Sequence, residues 1–232
     1  MSVSERSAGG ARSSRLSHVR CWVFDLDNTL YPADCDLFSQ IDARMSGYVA
    51  DLLDTDLGTA RRIQKDYFVS HGTTLRGLMD NHAVDPEHFL DAVHDIDVSP
   101  LSPAPGLRTA LAGLEGRRLV FTNGSRGHAE RVLDRLGIAD LIDGIFDISA
   151  AEYHPKPRPE AYARFVTQFD VTPKTAVMIE DMIRNLAPAA ALGMTTVWLR
   201  SSYQWAEVDR EGHSADVEID DLVAFLQGQA LR

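Results

Sequence analysis

Five short, mainly apolar runs are the feature that most constrains the fold of this chain. Apolar residues that do not alternate with polar ones suit strands buried on both faces, which occur in parallel sheets covered by helices on each side. Several of the runs stop at a carboxylate or a hydroxyl residue. The runs are residues 21–24, 119–121, 145–148, 176–179 and 196–199.

Amphipathic stretches separate these runs, with apolar residues recurring every three to four positions, as along one face of a helix. Gly137 and Gly193 stand where two such helices end, and Pro159 stands where another begins. Asp220 or Asp221 can cap a last helix. Strands that alternate with helices predict an α/β fold with a doubly wound, Rossmann-like parallel sheet.

The stretch 33–103 interrupts the alternation, because its apolar residues have helical spacing and it contains no convincing strand. Ligands of open α/β sheets bind outside the carboxyl ends of the strands, so an insertion that follows the first strand is expected to cover the site. The predicted parts are a flexible tail at 1–18, an α/β core at 19–32 and 104–232, and an all-helical cap at 33–103.

Composition limits the classes of partner and the cellular compartment that we expect for this chain. A formal net charge of −11 argues against polymeric nucleic acid and anionic membranes, while a small anion can bind where a metal cancels the field. No apolar run approaches the roughly 20 residues of a membrane span. Residues 1–18 lack the apolar region of a secretory signal and fit a solvated tail or a transit peptide. Cys21 and Cys35 match neither a disulfide framework nor a zinc pattern, which favours a reducing cytoplasm.

Two aspartates directly follow the first apolar run. Side chains alternate on an extended backbone, so Asp25 and Asp27 can both face a site beyond the sheet edge. One carboxylate can attack phosphorus and become an aspartyl phosphate, while the other protonates the leaving oxygen and later deprotonates water. Together they favour a hard cation with oxygen ligands, most naturally Mg²⁺. A solvated turn that caps a helix has the same local pattern.

Three further motifs converge on the same predicted edge. Thr122 and Asn123 follow the second run, where a hydroxyl and backbone N–H groups can hold phosphoryl oxygens. Lys156 lies in a loop stiffened by prolines, which suits it to a phosphate and to orienting a carboxylate. The acid pair 180–181 ends the fourth run and indicates a cation. Each motif alone also fits a plain turn, a connector or a helix cap, and only the set predicts a site.

From about residue 21 to residue 199 the sequence resembles the haloacid dehalogenase-like hydrolase superfamily, in the subgroup with a helical cap. The resemblance implies that Asp25 is the nucleophile, that Asp27 is the general acid and base, and that Lys156 is the third catalytic residue. The motifs that carry the resemblance are 25–29, 122–123, 156–157 and 180–181, in that order.

The same resemblance implies a set of binding residues. Thr122, Asn123 and Lys156 are expected at the phosphoryl group. The expected cofactor is Mg²⁺, held by Asp25, by the backbone carbonyl of Asp27 and by Asp181, with Glu180 close by.

A narrower resemblance, to the pyrimidine 5'-nucleotidase branch, rests on residues 24–32, 67–78 and 121–125. It implies nucleoside monophosphates such as UMP or CMP as substrates. Within the cap, aromatic side chains can stack on a base or form the cap's own core, and polar ones can bind substrate or face solvent. The cap candidates for substrate binding are Tyr67, Phe68, His71, Thr73 and Arg76.

The predicted activity is therefore that of a Mg²⁺-dependent phosphatase acting on a small phosphate ester. A dehalogenase does not need Asp27 or the acid pair 180–181. A phosphatase acting on sugar phosphates and a phosphomutase both keep all four motifs and stay open as alternatives. A binding or regulatory protein on an inert scaffold would usually have lost one of the catalytic residues. The sequence makes no prediction of oligomeric state.

Overall fold

A parallel sheet forms the centre of the computed structural model, which describes residues 16–35, 37–201 and 212–230. Most of the predicted flexible tail, 1–15, lies outside these described residues. The sheet has six strands in the order β3-β2-β1-β4-β5-β6, and each neighbouring pair is parallel. The strands are β1 (Cys21–Phe24), β2 (Arg117–Phe121), β3 (Gly144–Phe146), β4 (Ala176–Glu180), β5 (Thr195–Leu199) and β6 (Val217–Ile219).

Helices connect the strands, and five of them lie between β1 and β2; the first four fall within residues 33–103, where no convincing strand was predicted. The predicted fold class, an α/β parallel sheet with inserted helices consistent with a cap, is confirmed. The helices are α1 (Leu37–Leu53), α2 (Leu57–His71), α3 (Thr74–His82), α4 (Pro86–His94), α5 (Pro105–Ala112), α6 (Arg126–Leu136), α7 (Pro159–Gln168), α8 (Leu186–Leu192) and α9 (Leu222–Gln229).

The strands of the sheet are buried on both faces, as their apolar runs predict. In β1, Trp22 and Phe24 pack into one apolar cluster, while Cys21 and Val23 pack into another on the opposite face. None of the four side chains is more than 3% exposed. Each fully buried side chain of this size stabilises the fold by about 1.5–3 kcal/mol relative to an exposed one, so β1 anchors both layers.

The four inserted helices, α1–α4, have an apolar cluster of their own, and we refer to them as the helical insertion. Val49 of α1, Leu78 of α3 and Phe89 of α4 belong to this cluster. Its members come mainly from the insertion, although Ile148 of the α/β part joins it. The insertion therefore packs as a helical layer that lies within the predicted cap.

Register aligns the carboxyl ends of the central strands. Phe24 of β1 lies beside Val120 of β2 and Ile179 of β4, so the residues that follow these three emerge at one edge. Asp25 directly follows β1, and Glu180 is the last residue of β4. In the described part of the chain, no helix is long and apolar enough to cross a membrane.

Candidate active site

Lys156 lies at the centre of the polar cluster at this edge and is 1% exposed. Its Nζ donates to Asp25 Oδ1 at 2.6 Å, to the backbone oxygen of Phe121 at 2.8 Å and to Glu180 Oε2 at 3.2 Å. An ammonium group has three N–H donors, and these acceptors use all of them. Lys156 therefore ties the ends of β1, β2 and β4 together.

Asn123 holds the loop that carries this lysine. Its Oδ1 accepts a hydrogen bond from the backbone N–H of Lys156 at 2.8 Å, and its Nδ2 donates to the backbone oxygen of Lys156 at 3.2 Å. Both ends of the amide are thus used on one residue of the neighbouring loop. In this structure Asn123 reaches the site by fixing Lys156, and the role predicted for it at the phosphoryl group stays a prediction.

Three buried acids surround the lysine. Asp25, Glu180 and Asp181 each place a carboxylate oxygen within 4.8 Å of the others. Asn185 Nδ2 donates to Glu180 Oε1. Asp181 Oδ2 is buried without a hydrogen-bond partner in the described part of the chain. Three carboxyl groups therefore face one ammonium group.

The crowding of buried acids shifts the pKa values of the groups in this cluster. Burial and the neighbouring carboxylates raise the pKa of Glu180 to about 8 and that of Asp181 well above its usual range. Burial also raises the pKa of Asp25, against the opposing charge of Lys156. Burial alone would lower the pKa of Lys156, but Asp25 and Glu180 outweigh it and raise that pKa. The cluster is short of positive charge, and its oxygen ligands suit a hard divalent cation.

The two oxygens of Asp25 have different partners. Lys156 binds Oδ1, and the hydroxyl of Thr29 donates to Oδ2 at 3.0 Å. Thr29 lies one helical turn after Asp25 in the chain, so the same short loop carries both groups. These two contacts fix the orientation of the carboxyl that was predicted as the nucleophile.

Asp27 lies beside this cluster in a second hydrogen-bond network. Its Oδ1 is 2.6 Å from the hydroxyl of Tyr31, which donates to it, and 2.7 Å from His128 Nε2. Burial acts to raise the pKa of Asp27, but His128 and Tyr31 outweigh burial and lower it to about 2. The carboxyl is therefore ionised in the free protein, and His128 Nε2 is the donor to it.

Sequence reasoning missed Tyr31 and His128. Both signals were local: Tyr31 follows Asp27 by four residues, and His128 lies in the first turn of the helix that opens after Thr122 and Asn123. A helix that starts at the carboxyl end of a strand points its first turn at the site. A histidine there is a candidate partner for a carboxylate.

Thr122 lies at the end of β2 and is 1% exposed. Its Oγ1 accepts a hydrogen bond from the backbone N–H of Gly124 at 2.9 Å. A Cβ on Gly124 would lie 3.2 Å from that oxygen and 3.3 Å from His128 Cδ2, so the turn is tight. In the described structure the hydroxyl acts as an acceptor, and its role at the phosphoryl group stays a prediction.

Three of the five cap candidates, Tyr67, His71 and Arg76, make their contacts within α2 and α3 in the described structure. Tyr67 shares a hydrogen bond of 2.7 Å with His82, and its ring lies edge-on to that of His71, with centroids 5.4 Å apart. Arg76 pairs with Asp80 through two hydrogen bonds of 2.6 and 3.0 Å. The structure does not bring these side chains into the Asp25 cluster, and their substrate-binding role stays a prediction.

The insertion meets the site through other groups. A Cβ placed on Gly72, in the turn between α2 and α3, would lie 3.3 Å from Pro155 Cγ and 3.6 Å from the backbone oxygen of Lys156. The guanidinium carbon of Arg184 lies 4.4 Å from the ring centroid of Phe68 on α2. These contacts hold the insertion against the lysine loop and against the segment that follows Asp181.

Two curated proteins align with more than half of the chain. Phosphate metabolism protein 8 of Saccharomyces cerevisiae is 29% identical over 204 residues, which are 80% of this chain and 63% of that protein. The glyceraldehyde 3-phosphate phosphatase of Pyrococcus furiosus is 30% identical over 141 residues, 59% of this chain and 58% of that enzyme. The chain spans less than two thirds of the length of these relatives.

Solved structures share the fold. A haloacid dehalogenase-like phosphatase from Thermococcus onnurineus superposes with a TM-score of 0.61 at 20% identity, over 92% of this chain and 100% of that one. A 2-haloacid dehalogenase from Pseudomonas syringae gives a TM-score of 0.54 at 18% identity, over 90% and 97%. The fold thus serves a phosphatase and a dehalogenase alike, and the activity has to be argued from the site.

The family itself is shown by a match along most of the chain. A family model for haloacid dehalogenase-like hydrolases matches residues 19–193, which include every residue of the Lys156 and Asp27 networks. Residues of the four predicted motifs also lie at one edge of the sheet, where the contacts of Lys156 and the acid cluster join them. The chain therefore belongs to the haloacid dehalogenase-like hydrolases.

Proposed function

We propose that this chain is a Mg²⁺-dependent phosphatase that hydrolyses small phosphate monoesters through an aspartyl phosphate on Asp25. One observation carries the proposal. Lys156 Nζ lies 2.6 Å from Asp25 Oδ1, and oxygens of Glu180 and Asp181 lie within 4.8 Å of an oxygen of the same aspartate. A fixed carboxylate beside a cation and further acids is the arrangement that an in-line phosphoryl transfer needs.

The residues of the cluster fit a magnesium ion. Every side-chain donor is a carboxylate oxygen, and Asp181 Oδ2 is buried without a partner among the described residues. The ligands would be the carboxylates of Asp25 and Asp181 and the backbone carbonyl of Asp27, with Glu180 beside them. When bound, Mg²⁺ neutralises charge on the phosphoryl oxygens and orients them toward the nucleophile.

In the first step, a carboxylate oxygen of Asp25 forms a bond to phosphorus while the bond from phosphorus to the leaving oxygen breaks. Asp27 gives its proton to that leaving oxygen, which departs as an alcohol. The negative charge of a bound ester favours protonation of Asp27 beforehand. Lys156 and the hydroxyl of Thr122 stabilise the charge on the phosphoryl oxygens.

In the second step, water attacks the phosphorus of the aspartyl phosphate, and Asp27 takes a proton from that water. The bond between phosphorus and Asp25 breaks, inorganic phosphate leaves, and the carboxylate of Asp25 is restored. The ionised form of Asp27, which its pKa of about 2 favours in the free protein, is the form that accepts this proton.

Asp27 and the acid pair favour a phosphatase over a dehalogenase. A dehalogenase releases halide, which needs no proton, and so has no use for a buried acid such as Asp27 or for a cation-binding pair. In this chain Asp27 has two hydrogen-bond partners, and Asp181 lies in the acid cluster. Burying these acids is costly, and a phosphatase has a use for both the proton of Asp27 and the cation-binding pair.

We propose pyrimidine nucleoside 5'-monophosphates, such as UMP and CMP, as substrates. The support is the resemblance of residues 24–32, 67–78 and 121–125 to the pyrimidine 5'-nucleotidase branch. The aromatic residues Tyr67 and Phe68 of α2 lie in the same helix that ends beside the Lys156 loop at Gly72. Aromatic side chains can stack on a flat base.

A sugar phosphate is the second candidate substrate. The Pyrococcus relative, 30% identical over 141 residues, is named as a glyceraldehyde 3-phosphate phosphatase. The catalytic groups would be the same, because the reaction at phosphorus does not depend on the alcohol that leaves. A phosphomutase would also use them, but would return the phosphoryl group to the sugar.

A screen of phosphate release separates these candidates. UMP, CMP, AMP, glyceraldehyde 3-phosphate and glucose 6-phosphate are each incubated with the protein, with Mg²⁺ or with a chelator. We expect Mg²⁺-dependent release, with the highest kcat/KM for UMP or CMP, and a loss on the order of 10⁴-fold in Asp25→Asn. Sugar isomers without free phosphate would indicate a mutase, and wild-type rates in Asp25→Asn would contradict the mechanism.

We also propose a reducing compartment, the cytoplasm, for this chain. Cys21 is a free thiol buried in β1. Burial raises the pKa of the Cys21 thiol to about 11, so it stays protonated and unreactive. Thiols without a disulfide partner are typical of cytosolic proteins.

A further inference from the structure

The carboxyl of Asp27 is held by one oxygen. The hydrogen bonds from Tyr31, at 2.6 Å, and from His128, at 2.7 Å, both go to Oδ1. Two donors on the same oxygen fix its position and the plane of the carboxyl group. The other oxygen, Oδ2, is then the one that can exchange a proton with the substrate.

The donor His128 is itself held in place from the far side. Its side chain is 0% exposed, and its ring stacks on that of His94 with centroids 4.7 Å apart and planes 15° from parallel. His94 is the last residue of α4, and its Nδ1 lies 3.1 Å from the hydroxyl of Ser125, which caps α6. The helical insertion therefore supports the imidazole that binds Asp27.

The stacked histidines do not carry two positive charges. Burial, and then the neighbouring His128, lower the pKa of His94 to about 3, so its imidazole is neutral. A neutral ring can lie flat against its neighbour at this distance without charge repulsion. Arg131 donates to the backbone oxygen of His94, which fixes the end of α4.

We propose that His128 is a positioning residue for Asp27, and that His94 of the helical insertion keeps it in place. Rigidly held at Oδ1, the carboxyl presents Oδ2 to the leaving oxygen. The proton moves from Oδ2 to that oxygen as its bond to phosphorus breaks and the bond from Asp25 to phosphorus forms. This inference rests on the proposed phosphatase function and adds a role for the insertion in the acid step.

Substrates with different leaving groups distinguish a residue that positions Asp27 from one that only fills space. A poor leaving group needs the proton of Asp27 in the transition state, whereas a stable leaving anion such as p-nitrophenolate departs with little help. A misplaced acid therefore slows phenyl phosphate more than p-nitrophenyl phosphate, although the two esters have nearly the same shape. A histidine that only fills space would affect both esters alike.

The test compares two amides at position 128. The amide of Gln can reach the place of Nε2, and that of Asn is too short to do so. We measure kcat/KM of the full chain with Mg²⁺ on both esters, for the wild type, His128→Asn and His128→Gln. His88→Asn is the matched control, because His88 is exposed on α4 and bonds to Tyr48.

We expect the loss in His128→Asn to be about tenfold or more larger on phenyl phosphate than on p-nitrophenyl phosphate, with most of the difference recovered in His128→Gln. An equal loss on both esters in His128→Asn overturns the inference and leaves the proposed function intact. Should the wild type release phosphate from neither ester, the proposed function fails and the inference fails with it.

A second variant covers the case in which His128→Asn does not fold, as judged by circular dichroism. Tyr31→Phe removes the other donor to Oδ1 and keeps the ring that is buried there. The same selective loss on phenyl phosphate supports positioning at Oδ1. Equal effects on both esters in a folded Tyr31→Phe protein contradict it.

Discussion

Lys156 shows how strongly a single residue can determine this site. It is a buried cation that meets two carboxylates and a carbonyl, and the acids around it outnumber it. Breaking a buried ion pair by removing one partner leaves an uncompensated charge, which costs far more than breaking an exposed pair. Its contribution to stability and its contribution to catalysis are therefore linked.

We predict that Lys156→Met lowers the free energy of unfolding by about 3–5 kcal/mol in metal-free buffer. The exposed pair of Lys65 and Asp42 provides the matched control, since the lysine side chain is 50% exposed. Lys65→Met should change stability by about 0–1 kcal/mol. Urea unfolding of both variants measures the difference, and equal effects would contradict the account of the buried cluster.

The grouping of residues at the sheet edge was predictable where motifs mark them and not where packing alone brings them together, and their roles stay predictions. Asp25 and Asp181 were placed at one edge because they follow predicted strands, and Lys156 because its loop precedes a predicted helix. The pairing of His128 with Asp27 was not, because the two residues are 101 positions apart in the chain and only the fold brings them close. The stacking of His94 on His128 could not be predicted either, because it depends on how the helical insertion packs against the core.

At the scale of elements, the contact between α2 and α3 explains the position of Gly77. A Cβ on Gly77 would lie 2.3 Å from Cγ of Tyr67 and 2.5 Å from its Cβ. These atoms are the root of the tyrosine side chain, which cannot rotate away. The two helices can approach this closely only because position 77 carries no side chain.

We predict that Gly77→Ala destabilises the protein by about 1–3 kcal/mol through overpacking, although alanine is the better helix former. Gly47 in α1 is the control, because a Cβ there meets nothing within 4 Å. Gly47→Ala should stabilise by about 0.5–1 kcal/mol. Thermal unfolding of both variants should show shifts of opposite sign, and two shifts of the same sign would refute the packing argument.

Strands and helices were predictable where their buried residues recur in the sequence as an apolar run or at helical spacing. The apolar runs located β1 to β5, and helical spacing located α1 to α4. Strand β6 was missed because Val217–Ile219 is three residues long and its middle residue, Glu218, is exposed. An edge strand of this kind has no continuous apolar run. Helix α5 was missed because it is eight residues long and begins at Pro105, at the end of a proline-rich stretch that reads as a connection.

At the scale of the whole molecule, negative charge determines which ions stabilise the folded protein. The net charge is −11, and three buried acids with one lysine add a local excess at the sheet edge. A protein with this distribution gains stability from any cation that binds its folded cluster and not the unfolded chain. Stability should therefore depend on Mg²⁺ even without a substrate.

We predict that Mg²⁺ raises the free energy of unfolding by about 2.7 kcal/mol at a hundred times its Kd. Asp181→Asn should abolish most of this increase, because it removes a carboxylate whose buried Oδ2 has no hydrogen-bond partner among the described residues. Asp66→Asn, at an exposed position of α2, should leave the increase intact. Melting curves with Mg²⁺ and with a chelator measure it, and an equal response in all three proteins would exclude the proposed metal site.

The most direct test of the central claim is to trap the covalent intermediate. The protein is mixed with UMP or p-nitrophenyl phosphate and Mg²⁺, quenched in acid during turnover and reduced with borohydride, which converts an aspartyl phosphate to homoserine. Peptide mass spectrometry then locates the converted residue. We predict homoserine at position 25, and none in Asp25→Asn. Conversion of a different aspartate, or steady phosphate release with no conversion, would contradict the account.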